Sequence, residues 1–504
     1  MGDTSPRDPD QPDPRRWRAL WVTLVAGFMG LLDVSIVAVA LPSMERSLGA
    51  SAAGVQWVVS GYALAFGLAL VPAGRLGDAW GRRRMFLISL AGFVITSALC
   101  GAAPSLGLLV AARLVQGFTA GMLGPQNSGL IQDLFRGAER GRAFGLYGAS
   151  VGLSTAVGPI VGGIILAVFG DPEGWRWIFY VNVPIGLVVL LVAPRLLPAF
   201  VPHQGPDGTV DRTPVRRRLD PLGSLLLGAS VLAVMLPLLD YAQIGRLWWL
   251  FPTAVLLGVV FLRWESRVAR LGRRPPLLDP GLLTSIPGYA SGAGLGLTYF
   301  VGFSGLFMVL ALFFQAGLGY SPLHSGLAVT SFALGSSASS AVAGRLVARW
   351  GRWMTVIGLC AVILGLVISA FVLRGNTGVA AAALAAAPLL LAGIGSGMVI
   401  SPNLTLTLSA VPVRMAGAAG GALQTGQRIG SAVGTAFLAG LYYAVLSASG
   451  RPGEAIFVAL LCATGFVLIA LGLAMLELYR AGGRAKVVSS PASGSAPASE
   501  VLGD

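Results

Sequence analysis

The sequence predicts an all-α integral membrane protein: two six-helix halves plus two inserted central helices, fourteen transmembrane helices in all. Three observations carry that expectation: an apolar composition, the placement of the basic residues, and one motif that occurs twice. Of 504 residues, 55% are apolar and 11% charged, with 70 glycines besides. Soluble domains carry roughly 25% charged residues. At about 20 residues per span, the apolar residues set a ceiling near fourteen helices, and one or two anchoring helices are excluded.

The chain opens on a polar tail, residues 1–18, with four Asp and four Arg among prolines. The apolar run from Ala19 to Leu41 is too long for a signal-peptide core and lacks a small-residue cleavage site, so it is a first span that stays in the mature protein. Hydropathy places further spans near 55–73, 85–103, 106–131, 143–169 and 178–197, which completes a half at 19–197. A linker, 198–221, holds Arg212, Arg216, Arg217 and Arg218. The inserted pair, 222–263, consists of spans near 222–239 and 247–263, with boundaries softened by Pro237, Asp240 and Arg246. After a loop at 264–288, spans near 289–314, 325–343, 354–373, 379–400, 417–446 and 455–478 form the second half, 289–478. The tail, 479–504, is rich in Ser, Ala, Pro and Gly and is expected to be disordered.

The net charge of +14 comes from 34 Arg and one Lys scattered in short clusters, a pattern of membrane orientation rather than of nucleic-acid binding. With a cytoplasmic N-terminus, 28 of the 35 basic residues fall on the inner side, which predicts a multi-pass protein of the cytoplasmic membrane with both termini inside. Cys100, Cys360 and Cys462 sit singly, and His203 and His324 are the sole histidines, so neither a disulfide framework nor a metal site is expected. The division into halves rests on a repeat: GRLGDAWGR at 74–82 returns as GRLVARWGR at 344–352, an offset of 270 with six of nine positions matching. That offset covers eight spans, so spans seven and eight are the insertion. Parallel repeats of this kind place a substrate site between the halves near the midplane.

Several segments together resemble the major facilitator superfamily. GRLGDAWGRRR at 74–84 is similar to its inner-loop signature, LLVAARLVQGFTAG at 108–121 to its fourth-helix Arg motif, and GASVGLSTAVGPIVGG at 148–163 to its antiporter motif. LLDVSIVAVALP at 31–42 and WRWIFYVNVPIG at 175–186 resemble signatures of the fourteen-helix drug:proton antiporter branch. The resemblance runs from about Trp17 to Glu477. It implies no enzyme and no cofactor: a proton-coupled antiporter, with protons as the coupling ion, exporting small amphiphilic compounds such as drugs or antibiotics. Proton-coupled uptake of a metabolite is the alternative within the fold, and a non-transporting receptor or membrane enzyme the alternative outside it. The bilayer and the amphiphilic substrate are the expected partners, nucleic acid is not, and the oligomeric state is not legible.

Asp33 is the one carboxylate deep in a span. Fifteen residues beyond Arg18, at about 1.5 Å each, it lies about 22 Å from the inner edge, and Arg113 in the fourth span reaches nearly the same level. An unpaired charge at that depth costs about 2.5–3.5 kcal/mol or more, so both face the bundle interior and interact. They are read as the proton-coupling pair, against the plainer reading of an ion pair that fastens two helices. Gly74, Asp78, Gly81, Arg82 and Arg84 are read as a gating latch on a tight inner turn; Ala348 in the second copy makes the latch one-sided. Gly148, Gly152, Gly158, Pro159, Gly162 and Gly163 strip side-chain bulk from helix five, giving close packing and a bend. The antiporter motif implies there a hinge that seals the halves against proton leak. Tyr62, Phe66, Phe300, Phe303, Phe307, Gln424 and Arg428 are candidate substrate-binding residues. Gln427 and Arg428 reverse the Arg-Gln order that the family resemblance implies.

Overall fold

The computed structural model describes residues 14–170, 172–198, 220–239, 244–271, 276–376, 378 and 380–488, and among these it contains helices and turns with no strand. The first half comprises α1 (Arg16–Leu48), α2 (Ala52–Trp80), α3 (Arg82–Ala102), α4 (Leu106–Leu134), α5 (Gly137–Phe169), α6 (Trp175–Tyr180) and α7 (Asn182–Leu196). Two of these helices start on a serine whose hydroxyl accepts a first-turn N–H: Ser51 from Gly54 and Ser105 from Leu108. Gly81, at φ +100°, turns the chain from α2 into α3 in a conformation that side chains rarely adopt. α6 and α7 are one span interrupted at Val181.

Next come α8 (Pro221–Leu239), α9 (Ile244–Leu247) and α10 (Leu250–Leu271). The second half holds α11 (Gly281–Thr284), α12 (Tyr289–Leu312) with a π-turn at Phe313–Gly317, and α13 (Pro322–Ala328), followed by α14 (Thr330–Trp350) and α15 (Arg352–Gly375). It closes with α16 (Ala381–Ser409), α17 (Ala416–Ser449) and α18 (Pro452–Val488). Eleven helical segments among the described residues are long and apolar enough to cross a membrane. Large apolar side chains point outward, among them Leu191 at 68% and Val168 at 70% exposure, as a helix bundle surrounded by lipid requires.

The expected spans differ from the helices mainly at their ends, where helices extend past the hydrocarbon into the loops. α1 starts three residues before Ala19 and ends seven after Leu41, and α10 runs from Leu250 to Leu271 rather than over 247–263. The expected disordered tail is corrected in part: α18 continues to Val488, since adding a residue to an existing helix is far easier than starting one. Most of the expected linker, the first residues of the N-terminal tail and residues 489–504 lie outside the described residues.

The halves meet along two seams, α2 against α17 and α5 against α14. At the end where α1 begins and α18 finishes, Leu20, Leu24, Phe135, Phe144, Leu404 and Leu408 form an apolar core shared by both halves and close the bundle. α8 packs over the α2–α17 seam, where Leu64, Val231, Met235 and Ala432 cluster. The same end of the inserted pair is tied down by polar contacts. Asp220 accepts from the Gly223 N–H at 3.0 Å and from Trp264 Nε1 at 2.7 Å, and buried Glu265 accepts from the Leu278 N–H at 3.2 Å.

Candidate functional site

Asp33 on α1 and Arg113 on α4 are both 0% exposed, and Arg113 Nη1 donates to Asp33 Oδ2 at 2.5 Å. The carboxylate accepts two further bonds at Oδ1, from Gln116 Nε2 and from Asn182 Nδ2, each at 3.1 Å. Arg113 in turn donates Nε–H to the Val58 carbonyl at 2.8 Å and bonds Gln116 Oε1 at 2.7 Å, while Gln116 donates to Ser97 Oγ. Fixed donors from two elements, α4 and α7, thus replace the water that a buried carboxylate loses. Asn182, the first residue of α7, brings its amide to the carboxylate from the sixth span. Sequence reasoning missed Gln116, Asn182 and Ser97. The first two lie inside the motifs at 108–121 and 175–186, and Gln116 is one turn from Arg113.

Asp78 stands at the end of α2 and bonds the start of α17, taking the Gly417 N–H at 3.1 Å and the Ala418 N–H at 3.0 Å. It therefore caps a helix of the other half and places negative charge at that helix's positive end. Arg82 donates to Asp78 Oδ1 at 3.0 Å, pairs with Asp133 at 2.8 Å, bonds the Gly129 carbonyl, and reaches the Val413 carbonyl at 2.7 Å. Gly74 permits the approach: a Cβ there would lie 2.2 Å from the Gly417 carbonyl oxygen. Arg84 is not brought into this cluster; it is exposed and has no hydrogen bond among the described residues. In the second copy, Arg352 stays within its own half, donating to Asn403 Oδ1 and Glu477 Oε1, each at 2.7 Å. Position 403 is offset by 270 from Asp133, so this amide takes the place of that carboxylate.

The glycines of α5 serve two different neighbours. A Cβ on Gly148 would meet Ser340 Oγ at 2.2 Å and one on Gly152 would meet Ser337 Oγ at 2.6 Å, both on α14 across the α5–α14 seam. Gly158 and Gly162 instead face Ser35 and Ile36 of α1, next to Asp33, so they pack inside the first half and do not seal the seam. Gly163 is half-buried, and the Pro159 side chain lies outside the described residues. α5 runs unbroken for 33 residues.

The aromatic candidates divide as well. Tyr62 is 1% exposed, donates to the Gly30 carbonyl at 3.0 Å, and its ring lies 4.1 Å from Arg113 Cζ, so it supports the charge cluster rather than lining a cavity. Phe300, Phe303 and Phe307 stack in series with Tyr299 and Phe332 inside the second half. Phe66 lies beneath Arg428, with 4.4 Å from Cζ to the ring centroid, and Gln424 faces Ser128 at 3.5 Å.

Residues 23–435 match the family model of the Major Facilitator Superfamily. The chain is similar to a protein of Streptomyces coelicolor named probable actinorhodin transporter, at 35% identity over 86% of this chain and 74% of that one. It is also similar to a puromycin resistance protein of Streptomyces alboniger, at 37% identity over 85% of this chain and 82% of that one. In fold it resembles the human organic anion transporter MFSD10, with a TM-score of 0.66 at 17% identity, covering 92% of this chain and all of that chain. A match that runs through both halves and the helices inserted between them, joined by relatives at these identities over most of their length, leaves one assignment: the chain belongs to the Major Facilitator Superfamily.

Proposed function

We propose that this chain is a fourteen-span antiporter of the cytoplasmic membrane, with both termini inside, that exports small amphiphilic compounds such as drugs or antibiotics in exchange for protons. The relatives named for an antibiotic transporter and for antibiotic resistance support the substrate class. α5, α10 and the α13–α14 pair complete the count beside the eleven apolar segments. The observation that carries the reading is the Asp33 cluster, a titratable carboxylate buried at span depth and held by Arg113, Gln116 and Asn182. No cofactor is required.

The Asp78 latch and the shared apolar core close the inner side, so in this reading a proton reaches the buried Asp33 from the outer side. A proton arriving there neutralises Asp33 and removes its charge-assisted bond to Arg113. Weakening that bond frees α1 from α4, the latch opens, and the proton leaves to the cytoplasm as substrate enters the emptied site. Asp33→Asn keeps the size and hydrogen-bonding capacity of a protonated carboxyl. Inverted vesicles carrying this variant should bind puromycin yet fail to concentrate it under an imposed pH gradient. Gradient-dependent accumulation at the wild-type level would move the coupling site elsewhere.

A further inference from the structure

Arg428 lies in the middle of α17, at the face that meets the first half. Among the described residues it has no hydrogen bond and no ion pair, and its Cζ lies over the Phe66 ring. Asp33, the deep carboxylate of the first half, is already occupied by three donors. From 416 to 436 no residue of α17 is fully exposed, so the partial exposure of Gln424, Gln427 and Arg428 opens into the space between helices, not onto lipid. An unpartnered guanidinium at bilayer depth is costly and marks a functional position. The ring of Phe66 covers one face of the cation and leaves its N–H edge, with up to five donors, unspent.

The neighbours supply what one small molecule needs. The charge of Arg428 is felt at the phenols of Tyr62 and Tyr147. Tyr147 and Asn127 converge on Gly27, where a Cβ would sit 3.6 Å from Tyr147 Cε2 and 2.9 Å from Asn127 Nδ2. Asn127 is 1% exposed, and both polar atoms of its amide lack a partner among the described residues. A cation with a free edge beside the Phe66 ring of α2 thus lies on α17, an uncommitted amide of α4 lies next to Tyr147 of α5 at Gly27 of α1, and no carboxylate among the described residues pairs with that cation.

We propose that Arg428 is the anion receptor of the transport site, and that the substrates include planar aromatic amphiphiles carrying one acidic group, a carboxylate or an ionised phenol. The acidic oxygens take the guanidinium edge, the ring system packs beside Phe66, and Asn127 bonds a polar substituent. This rests on the transport reading and names the substrate class of that same site.

The test is equilibrium binding to the purified full-length protein in detergent, with no gradient, using 2-naphthoate and its neutral counterpart 2-naphthamide. Wild type should bind the naphthoate about tenfold more tightly than the amide, and Arg428→Gln should abolish that preference while leaving amide binding within about twofold. Arg428→Lys should keep part of the preference, since it retains the charge and loses the planar fork. Phe66→Leu should weaken both ligands. Equal affinities in wild type overturn the proposal, as does an Arg428→Gln variant that still prefers the anion or loses both ligands equally. Vesicles that show no gradient-driven transport while discrimination in detergent persists would instead defeat the efflux reading alone.

Discussion

At Asp33 the decisive quantity is the number of donors. A hydrogen bond to a charged group contributes about 1.5–3 kcal/mol, so each of Arg113, Gln116 and Asn182 holds a large share of the carboxylate's stabilisation. Asn182→Ala removes one donor and leaves the Arg113 pair. It is expected to slow gradient-driven exchange about tenfold with normal membrane content, measured as initial rates in inverted vesicles beside an immunoblot. An unchanged rate would reduce Asn182 to a packing residue. Asp33 and Arg113 were legible because a charge inside an apolar run is conspicuous and the helical rise gives its depth. Asn182 was not, since a neutral amide at a span's edge raises no such alarm and its meeting with Asp33 depends on how α7 packs against α1.

Between helices, the latch and the glycines set how closely the elements approach. Arg82 makes contacts in both halves whereas Arg84 makes none among the described residues, though the two stand two positions apart in one motif. Arg82→Ala should therefore slow turnover and Arg84→Ala should not, a contrast read from transport rates at saturating substrate; equal effects would return the motif to a signal of membrane orientation. In α5, Gly158→Ala places a Cβ 2.6 Å from Ser35 Cβ and 3.1 Å from the Ile36 nitrogen. Such overpacking costs about 1–3 kcal/mol and should lower the thermal unfolding midpoint, whereas Gly107→Ala meets nothing within 4 Å and should not. That these glycines pack tightly was readable; which neighbour each faces was not. Ten residues separate Gly148 from Gly158, about 15 Å along the helix and about 80° around it, and only the assembled bundle says that one end meets α14 and the other α1.

For the molecule as a whole, the repeat at 74–82 and 344–352 revealed two halves, and its offset an extra pair, but not where that pair packs. The end of that pair where α8 begins and α10 finishes carries a pH-dependent tie. Burial, together with the negative charge of Asp220, pushes the Glu265 carboxyl up to about 7 from an ordinary 4.5. Glu265 faces Asp220 from α8 and the charge of Arg75 from α2, while Arg263, Arg267 and Arg270 on its own helix point outward. An acid raised in the folded state contributes stability that is complete below its ordinary value and is lost as pH rises through about 7. Protection from hydrogen exchange around Leu277 and Leu278, taken relative to the intrinsic rate at each pH, should accordingly fall between about pH 5 and 8, and Glu265→Gln should flatten that fall; a variant with the wild-type slope would place the titrating group elsewhere. The position of the pair has a further effect. α8 lies over one seam between the halves, and at the other Gly145 and Gly344 bring α5 and α14 so close that a Cβ on Gly344 would lie 2.4 Å from the Gly145 Cα. A compound entering sideways from the surrounding lipid at these two places would have to part α8 from the α2–α17 seam or α5 from α14.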